Sequence, residues 1–566
     1  MAPLAAIALA ALAAEPQPAA AVDLPWADVL DAELQRNFEA LALPEAPPIY
    51  HLRYHLLQLG QVDVHAALGS LVEADTGRFN LFAAEVRVGD PHFDNSGFGG
   101  WQDGFLRGSL PQELTAEALA TEAWRTTDAA YKQAVEQYAR KVSQFVPPPD
   151  YPGDYTLTGA VVADAGEGTA EASADRLAEL AVALTGAMEG EPALLRGEVF
   201  VGHEAGSQLT VDSEGTRVRT PVAETTIRAV VAARAEDGLL VTDQRLWTVH
   251  TPDDLPPREQ MLQAVRALRD DVVAAAAAPA LDDEYVGPVV FEGQAALDLQ
   301  RYVLTPQLEG TPPDIPFDSF FGELGDDRDP VRVGRRVLPP GWDVTDDPQA
   351  WPAHPGAYAY DNEGTPAQAV DLVQDGIVRS LAMSRVPRRG LDQTNGHARG
   401  LVGSRGAGRV TMLSVTPDRT RSEAKLLRQA ARVARSYGRD WFLVVRRLQE
   451  PAAINLETDL YADGLALPPP LEVVRRHADG REERLRGAQF AGIERWILRD
   501  VMAAGPERQG DYFAPLSGTN VFGLGPTEGI PCHIRGPELL VGEVELVPAP
   551  GDPRAVPVLT PPVATR

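Results

Sequence analysis

Cysteine, lysine and long apolar runs are scarce in this chain, and each scarcity limits what the protein can be. Cys532 is the single cysteine among 566 residues, so no internal disulfide can form and cysteine usage does not indicate the redox compartment. Lys132, Lys141 and Lys425 are the only lysines among 51 basic residues, a bias that codon composition explains more easily than arginine-specific recognition. Beyond the N-terminus, no run approaches the ~20 apolar residues of a membrane-spanning helix, so the sequence predicts no membrane span.

Basic charge is also in short supply. The chain has 51 lysines and arginines against 81 aspartates and glutamates, a net charge of −30. These acids are spread along the sequence and repel polyanions. Nucleic acid and anionic membrane surfaces are therefore not expected as partners.

The N-terminal segment is the most apolar part of the sequence. Residues 1–14 are rich in alanine and leucine and end in small residues, a pattern typical of a secretory signal peptide, although the usual positively charged start is missing. We expect residues 1–22 to be a signal peptide and the protein to be periplasmic or extracellular. If the segment is instead an alanine-rich leader, the protein is cytoplasmic.

The length of the chain and the change in amino-acid composition along it predict more than one domain. A chain of 566 residues is too long for one core. Long helices are predicted in the first half, over residues 26–42, 115–145, 173–188 and 257–276. After an alanine-rich tract at 274–280, short apolar runs with many glycines and prolines predominate. We predict an α+β fold, with an N-terminal α/β domain of antiparallel sheet and long helices over 23–281 and a β-rich C-terminal domain over 282–566.

Three local patterns in the first half carry structural predictions. His51 and His55 have the spacing of a helical metal pair, but the alternation around them predicts a strand, on which their Cα atoms lie about 13 Å apart. We expect a solvated polar face there. Asp75–Gly77 is predicted to turn this strand back into an antiparallel partner. On the helix at 115–145, an aromatic stripe that includes Trp124 is predicted to face the core.

The stretch at 284–296 has the outline of a metallopeptidase active-site helix without its ligands. An HExxxH zinc site needs two histidines about one helical turn apart, with the glutamate beside the first as general base. With Glu292 placed on that glutamate, the histidine positions fall on Phe291 and Ala296, and neither side chain binds a cation. Glu292 is thus the catalytic candidate, and a structural carboxylate at a helix start is the alternative.

An ordered series of short motifs surrounds and follows this stretch. They are Gly287–Ala296, Val337–Pro339, Asp346–Pro348, Tyr360–Pro366, Gln374–Ile377 and Thr394–Arg399. In this order they resemble the TldD/PmbA family, also called the modulator-of-DNA-gyrase family, whose active members are zinc metallopeptidases. The resemblance is strongest over 284–410. The family's third metal ligand is a cysteine upstream of its closing strand, but residues 523–529 contain none and Cys532 lies inside the strand-like segment.

The resemblance implies a divergent member that lacks the HExxxH zinc ligands. It implies dimerisation, with a substrate cleft between the two domains in which Glu292 would lie beside the further candidates Phe291, Ala296, His397 and Arg399. No metal ligand and no cofactor is expected on this chain, whereas active family members bind zinc. Metal-lacking members of the family can pair with metal-bearing ones.

Other motifs in the sequence are incomplete. His397 and Arg399 follow a glycine turn and could bind a peptide carbonyl or carboxylate, although a hairpin that holds neighbouring loops explains them equally simply. His203 and Glu204 begin like a zincin motif, but Ser207 stands where the second histidine belongs. Ser404 lacks the nucleophile-elbow glycine two residues before it.

Three functions remain open from the sequence. The first is a non-catalytic or partner subunit that binds extended peptide, in a homodimer or in a heterodimer with a metal-bearing homologue. The second is an active peptidase that uses an unrecognised nucleophile, or a metal held by scattered residues such as His354, His397 and nearby acids. The third is a homodimeric peptide-binding scaffold with no catalytic partner.

Overall fold

The structure is a computed structural model, and it describes most of the chain. The described residues are 24–99, 103–168, 172–191, 193–312, 314–315, 333–400, 405–449, 467–514, 529–549 and 551. The predicted signal peptide at 1–22 and Ser404 lie outside them. No helix within the described part is long and apolar enough to cross a membrane.

The first half of the chain builds one large sheet with helices. Its elements are α1 (Ala27–Ala40), β1 (Ile49–Ala67), β2 (Ser70–Val88), β3 (Phe105–Leu110), α2 (Ala116–Gln144), β4 (Val162–Asp164), α3 (Ala174–Gly186), β5 (Leu194–Asp212), β6 (Arg217–Arg234), β7 (Leu240–Val249) and α4 (Arg258–Ala276). The strand order is β3-β2-β1-β5-β6, and β4 and β7 both pair with β6. All of these pairings are antiparallel except that of β4.

The second half builds a larger mixed sheet. Its elements are β8 (Tyr285–Phe291), α5 (Gly293–Leu308), β9 (Trp342–Asp346), β10 (Val370–Gln374), β11 (Ile377–Val378), β12 (Ala398–Arg399), β13 (Ala407–Gly408), β14 (Met412–Pro417), α6 (Glu423–Ser436), β15 (Trp441–Leu448), β16 (Pro470–His477), β17 (Glu482–Leu485), β18 (Ala488–Phe490), β19 (Val501–Ala514) and β20 (Ile530–Pro548). The order is β11-β10-β9-β14-β20-β8-β15-β16-β17, with β18 and β19 on β20, and β12 and β13 form a separate hairpin. The α+β fold predicted from the sequence is confirmed.

The long helices of the first half begin and end close to where the sequence predicts. Thr115 caps α2, because its hydroxyl accepts a hydrogen bond from the backbone N–H of Ala118. Ser173 caps α3 in the same way. The aromatic stripe predicted on α2 is buried only in part. Tyr131 is 2% exposed and belongs to the core, whereas Trp124 is 48% exposed. Small residues such as Ala123 and Ala130 complete the buried face of the helix.

The hairpin between β1 and β2 turns earlier than predicted. Asp75–Gly77 lies inside β2, opposite Gln61 to Asp63 of β1. The chain reverses at Leu68 and Gly69, which have φ angles of 49° and 67°. Two consecutive residues with positive φ form the tight turn that suits the twist of a hairpin. The prediction that Asp75–Gly77 forms the turn was therefore wrong.

One face of the first sheet is covered by helices, and the other is covered by the second half of the chain. Leu52, Tyr54 and Leu56 of β1 join the core beneath α1 and α2. The polar residues between them, which the sequence predicted to be solvated, are also buried: His51 is 0% exposed and His55 is 3% exposed. That prediction was wrong because burial of this face depends on residues more than 300 positions away in the chain.

Ion pairs join the two halves at this polar face. Arg53 of β1 is 3.5 Å from Glu363, and Arg385 is 3.4 Å from Asp212 of β5. All four residues are buried. A buried charge without a partner is costly, so these pairs define how the second half sits on the sheet.

Candidate functional site

Glu292 lies at the junction of β8 and α5. It is the N-cap residue of α5, but its side chain makes no capping hydrogen bond. Its carboxylate accepts a hydrogen bond of 3.0 Å from Nε of Arg446 on β15. The same guanidinium also contacts Glu482 at 3.0 Å. Burial raises the pKa of Glu292, and Arg446 opposes that rise. Glu292 is thus part of a small network of charged groups at the end of the strand.

The two positions that carry histidine in an HExxxH site are part of the core. Phe291 is the last residue of β8 and does not belong to the helix. Ala296 lies in the first turns of α5, and both residues are fully buried in the core of the second sheet. Neither has a donor atom for a cation, and residues 291 and 296 do not share one helical face. The residues present at this position do not fit zinc.

A cavity of about 410 Å³ lies between the two halves of the chain, within the size range of small-ligand sites. One wall is the polar face of the first sheet, with residues from β1, β5 and β6. The other wall comes from the second half of the chain, with residues 355, 357–362, 399, 400 and 529–531. Arg399 is therefore at the cavity, whereas Phe291, Glu292 and Ala296 are not among its lining residues.

The sheet wall of the cavity is acidic. Glu204 of β5 is directly opposite Glu224 of β6. Gln61 and Asp63 of β1 are opposite Glu204 and Gly202 of β5, so the three carboxylates lie on one face of the sheet. Burial raises the pKa of Glu224 to about 7, and the charge of Glu204 adds to the rise. Like charges in directly opposed positions are destabilising, and the charge of Arg399 opposes the rise in the pKa of Glu224.

The opposite wall supplies an arginine and an amide. The guanidinium of Arg399 lies 4.2 Å from the ring centre of Tyr358. Asn362 is only 8% exposed, and its Oδ1 finds no hydrogen-bond partner among the described residues. Asp361 beside it is committed to structure, because its carboxylate accepts three backbone N–H groups. The Oδ1 of Asn362 is thus a buried acceptor that is closed to solvent, and of these residues Arg399 supplies the positively charged group at the cavity.

His397 lies two residues from Arg399 but serves a different part of the structure. It is fully buried, its Nδ1 is 3.1 Å from the carbonyl oxygen of Asn395, and its Nε2 is 3.6 Å from the carboxylate of Asp346. Asp346 in turn accepts hydrogen bonds from the backbone of Thr411 and Met412. The acid next to His397, which the sequence did not identify, is therefore Asp346.

Two groups of side chains in the described residues have the spacing of metal ligands, and neither fits a metal well. One is His354, Asp511 and His533. Burial lowers the pKa of His354 to about 4. Its Nδ1 accepts a hydrogen bond of 3.0 Å from the N–H of Gly356, so the proton of the neutral ring sits on Nε2. That atom faces Asp511 at 3.5 Å and has no lone pair for a metal. His397 belongs to neither of the two groups in the described residues.

The second group is His51, Asp212 and Glu214. Arg385 forms ion pairs with both acids of this group. The guanidinium of Arg53 is also 4.0 Å from Asp212. Two fixed positive charges beside the same oxygens leave little attraction for a divalent cation.

Cys532 lies inside β20, as the sequence predicted. It is fully buried, and its thiol donates to the backbone carbonyl of Ile530 at 3.2 Å. Burial raises the pKa of this thiol to about 12. Because the thiolate is the form that binds metals and attacks substrates, Cys532 is a structural thiol.

Sequence reasoning missed the acids of the cavity. Glu204 and Glu224 stand at alternate positions of two long strands that also carry many apolar residues. The available signal was that polar residues such as Gln208 and Thr226 share their parity on these strands. A polar stripe across neighbouring strands indicates a face that is not packed against helices.

Comparisons with known proteins show similarity to one domain family and to several solved structures. A search of curated proteins gave no match. Residues 286–434 match the model of the PmbA/TldA metallopeptidase C-terminal domain. A protein from Thermotoga maritima proposed to be a modulator of a DNA gyrase shares 14% identity, with a TM-score of 0.58 over 92% of this chain and 99% of that one. TldE from Thermococcus kodakarensis shares 14% identity, with a TM-score of 0.57 over 92% of this chain and 100% of that one.

A third structure extends the same likeness. It is a protein from Bacteroides thetaiotaomicron, also proposed to be a modulator of DNA gyrase, with 11% identity and a TM-score of 0.53 over 92% of this chain and 98% of that one. At these identities the structures show a common fold, and the family model matches one part of the second half of the chain. Residues 286–434 are thus similar to the C-terminal domain of PmbA/TldA metallopeptidases, and the chain is similar in fold to solved structures described as TldE or as modulators of DNA gyrase.

Proposed function

We propose that this chain is a non-catalytic, peptide-binding subunit whose catalytic zinc is supplied by a metal-bearing homologue. One observation carries the proposal. The positions that hold the two zinc histidines in an HExxxH site are occupied by Phe291 and Ala296, and both are buried core residues without donor atoms. The carboxylate of Glu292 is hydrogen-bonded to Arg446.

Peptide binding is assigned to the cavity between the two halves of the chain. Its walls carry hydrogen-bonding side chains and leave a volume of about 410 Å³. Gln61 and Gln208 on the sheet wall and Arg399 on the opposite wall are among its lining residues. Groups of this kind suit the alternating N–H and C=O groups of an extended peptide.

Reconstitution with a partner tests this function. The chain is expressed alone and together with an HExxxH homologue from the same organism, and each preparation is assayed for co-purification and for cleavage of a casein-derived peptide pool, with and without chelator. We expect chelator-sensitive cleavage only in the preparation that contains both chains. A matched control replaces the first histidine of the partner's HExxxH motif, which should abolish cleavage without preventing assembly.

The other outcomes of this experiment identify the alternative functions. Chelator-sensitive cleavage by the chain alone would establish an active peptidase with unrecognised ligands. A stable homodimer that binds peptide, does not assemble with the homologue and cleaves nothing would establish a scaffold. We also propose that the protein is exported. Cell fractionation checks this, because removal of residues 1–22 should then leave the protein in the cytoplasm.

A further inference from the structure

We propose that the outer face of α6 is a docking surface for an acidic segment of a partner protein. The surface is a row of four cations, the basic stripe, formed by Lys425, Arg428, Arg432 and Arg435. None of these residues lines the cavity between the two halves of the chain. The inference is therefore independent of the proposed peptide-binding function.

The four cations of the basic stripe lie on one side of α6. At 3.6 residues per turn they fall within an arc of about 80° and extend over about 15 Å of the helix. The other side of the helix packs on the second sheet through four apolar residues, Leu426, Leu427, Ala430 and Ala434. All four cations are exposed, so the basic stripe faces solvent.

The basic stripe has no acidic counterpart within the described part of the chain, where none of its side chains forms an ion pair or a hydrogen bond. The surface cations of α2 differ, because Arg125, Lys132 and Arg140 each pair with an acid one turn earlier. Glu423 is the one acid on α6, and its charge acts on Glu292. The stripe is thus uncompensated positive charge in a chain of net charge −30.

Helix stability does not account for the basic stripe. Like charges one turn apart destabilise a helix, and successive members of the stripe are three or four residues apart. The helix macrodipole favours cations only in the last turn, where Arg435 lies, whereas Lys425 lies in the first turn. A bound acidic segment would relieve this repulsion.

Exposed apolar side chains flank the basic stripe. Met502 of β19 is 49% exposed, and its backbone carbonyl accepts a hydrogen bond from Gln429, the neighbour of Arg428 on α6. Tyr437, at the C-terminal end of α6, is 38% exposed. Arginine, tyrosine and methionine are enriched at protein–protein interfaces. This observation does not depend on the charges, and it favours a protein as the partner.

The shape of the basic stripe favours a narrow polypeptide over a broad polyanion. The stripe is one helix wide, and the chain around it has 81 acids against 51 basic residues. A DNA duplex or an anionic membrane presents its phosphates over a wider area and would bring them against those acids. An extended segment of about five residues spans the 15 Å of the stripe, at about 3.3 Å per residue, and contacts little else.

Fluorescence anisotropy with the full chain tests the docking surface. The glutamate probe is a labelled octapeptide of six glutamates with a leucine at each end, and the glutamine probe carries six glutamines instead. We expect the glutamate probe to bind at least tenfold more tightly at low ionic strength, and to weaken as salt screens the charges.

Variants assign the binding to α6. The double variant Arg428→Gln/Arg432→Gln is expected to weaken the glutamate probe about tenfold, equivalent to about 1.4 kcal/mol. The matched control is Arg125→Gln/Lys132→Gln, which removes two positive charges from exposed positions of α2 and should leave the affinity unchanged. Met502→Ser should weaken the glutamate probe and leave unchanged a version of it with glycine at both ends.

Three outcomes would overturn the proposal. If the glutamate probe binds no more tightly than the glutamine probe, the basic stripe is not a docking surface. If the control variant on α2 weakens the glutamate probe as much as the variant on α6 does, the effect is one of overall charge. If a DNA duplex or phosphatidylserine vesicles bind more tightly than the glutamate probe, with the same loss in the α6 variant, the partner is not an acidic protein segment. None of these outcomes bears on peptide binding in the cavity.

Discussion

Replacement of Glu224 by glutamine should stabilise the fold at alkaline pH. Glu224 faces Glu204 of β5, Asp63 of β1 and Arg399 of the opposite wall, and Thr226 on its own strand donates a hydrogen bond to it at 2.8 Å. Glutamine keeps an oxygen that can accept this bond, so the substitution removes the charge and little else. A residue retained for stability would behave in the opposite way.

The magnitude follows from the pKa of Glu224. Burial and the charge of Glu204 raise that pKa from 4.5 to about 7. The folded chain therefore binds this proton more tightly than the unfolded chain does. Below about pH 4.5 the carboxyl group of Glu224 is neutral in the folded and in the unfolded chain, so it does not change the free energy of unfolding. Its destabilising effect grows as the pH rises to about 7. A shift of this size corresponds to at most about 3.4 kcal/mol, and partial access of water to the cavity reduces it to about 1–2 kcal/mol.

Thermal unfolding at pH 5 and at pH 8 measures this difference. The expected result is a melting temperature that rises by about 2–8 °C in Glu224→Gln at pH 8 and by much less at pH 5, since 1 kcal/mol shifts the melting temperature of a domain of this size by about 2–4 °C. Glu73→Gln, on the exposed part of β2, is the control and should show no such pH dependence. A loss of stability in Glu224→Gln at pH 8, or an equal effect at both pH values, would refute the reasoning.

Four further substitutions test other parts of the structure. Lys141→Met should destabilise the fold by about 3–5 kcal/mol in urea unfolding, because it leaves the carboxylate of Asp154 buried without its partner at 2.7 Å; a loss below about 1 kcal/mol would contradict this. Thr115→Ala should lower the free energy of unfolding by about 1 kcal/mol, because α2 loses its N-cap hydrogen bond. Urea unfolding and circular dichroism measure this loss. Arg446→Ala should lower the free energy of unfolding by about 1–3 kcal/mol. Glu292→Gln should leave peptide cleavage by the reconstituted complex unchanged, and loss of that cleavage would make Glu292 catalytic.

Local signals in the sequence predicted the helices well, because their causes are local. Thr115 and the three prolines after Phe145 delimit α2, and the cap appears where the hydroxyl predicts it. The buried side of the same helix was harder to predict. Trp124 is exposed while Ala123 beside it is buried, because the sheet beneath the helix, and not hydrophobicity alone, selects the contact face.

The residues of the candidate site are far apart in the sequence, so no local pattern shows that they lie together in the fold. Glu204 and Glu224 meet through strand pairing, and Arg399 reaches them from the other half of the chain. The buried polar face of β1, with His51 and Arg53, is hidden for the same reason. The motif at Glu292 was visible in the sequence, but the spacing did not show that Phe291 ends a strand. A one-turn motif needs all of its residues on one helix, and only the structure shows where that helix begins.

The zinc content of the purified chain tests the central claim most directly. Elemental analysis of the chain expressed alone in zinc-supplemented medium, after dialysis against metal-free buffer, gives the number of zinc ions per chain. The account predicts well below stoichiometric zinc, together with no chelator-sensitive peptide cleavage, because Phe291 and Ala296 provide no ligand. One zinc ion per chain, with cleavage that a chelator abolishes, would contradict it.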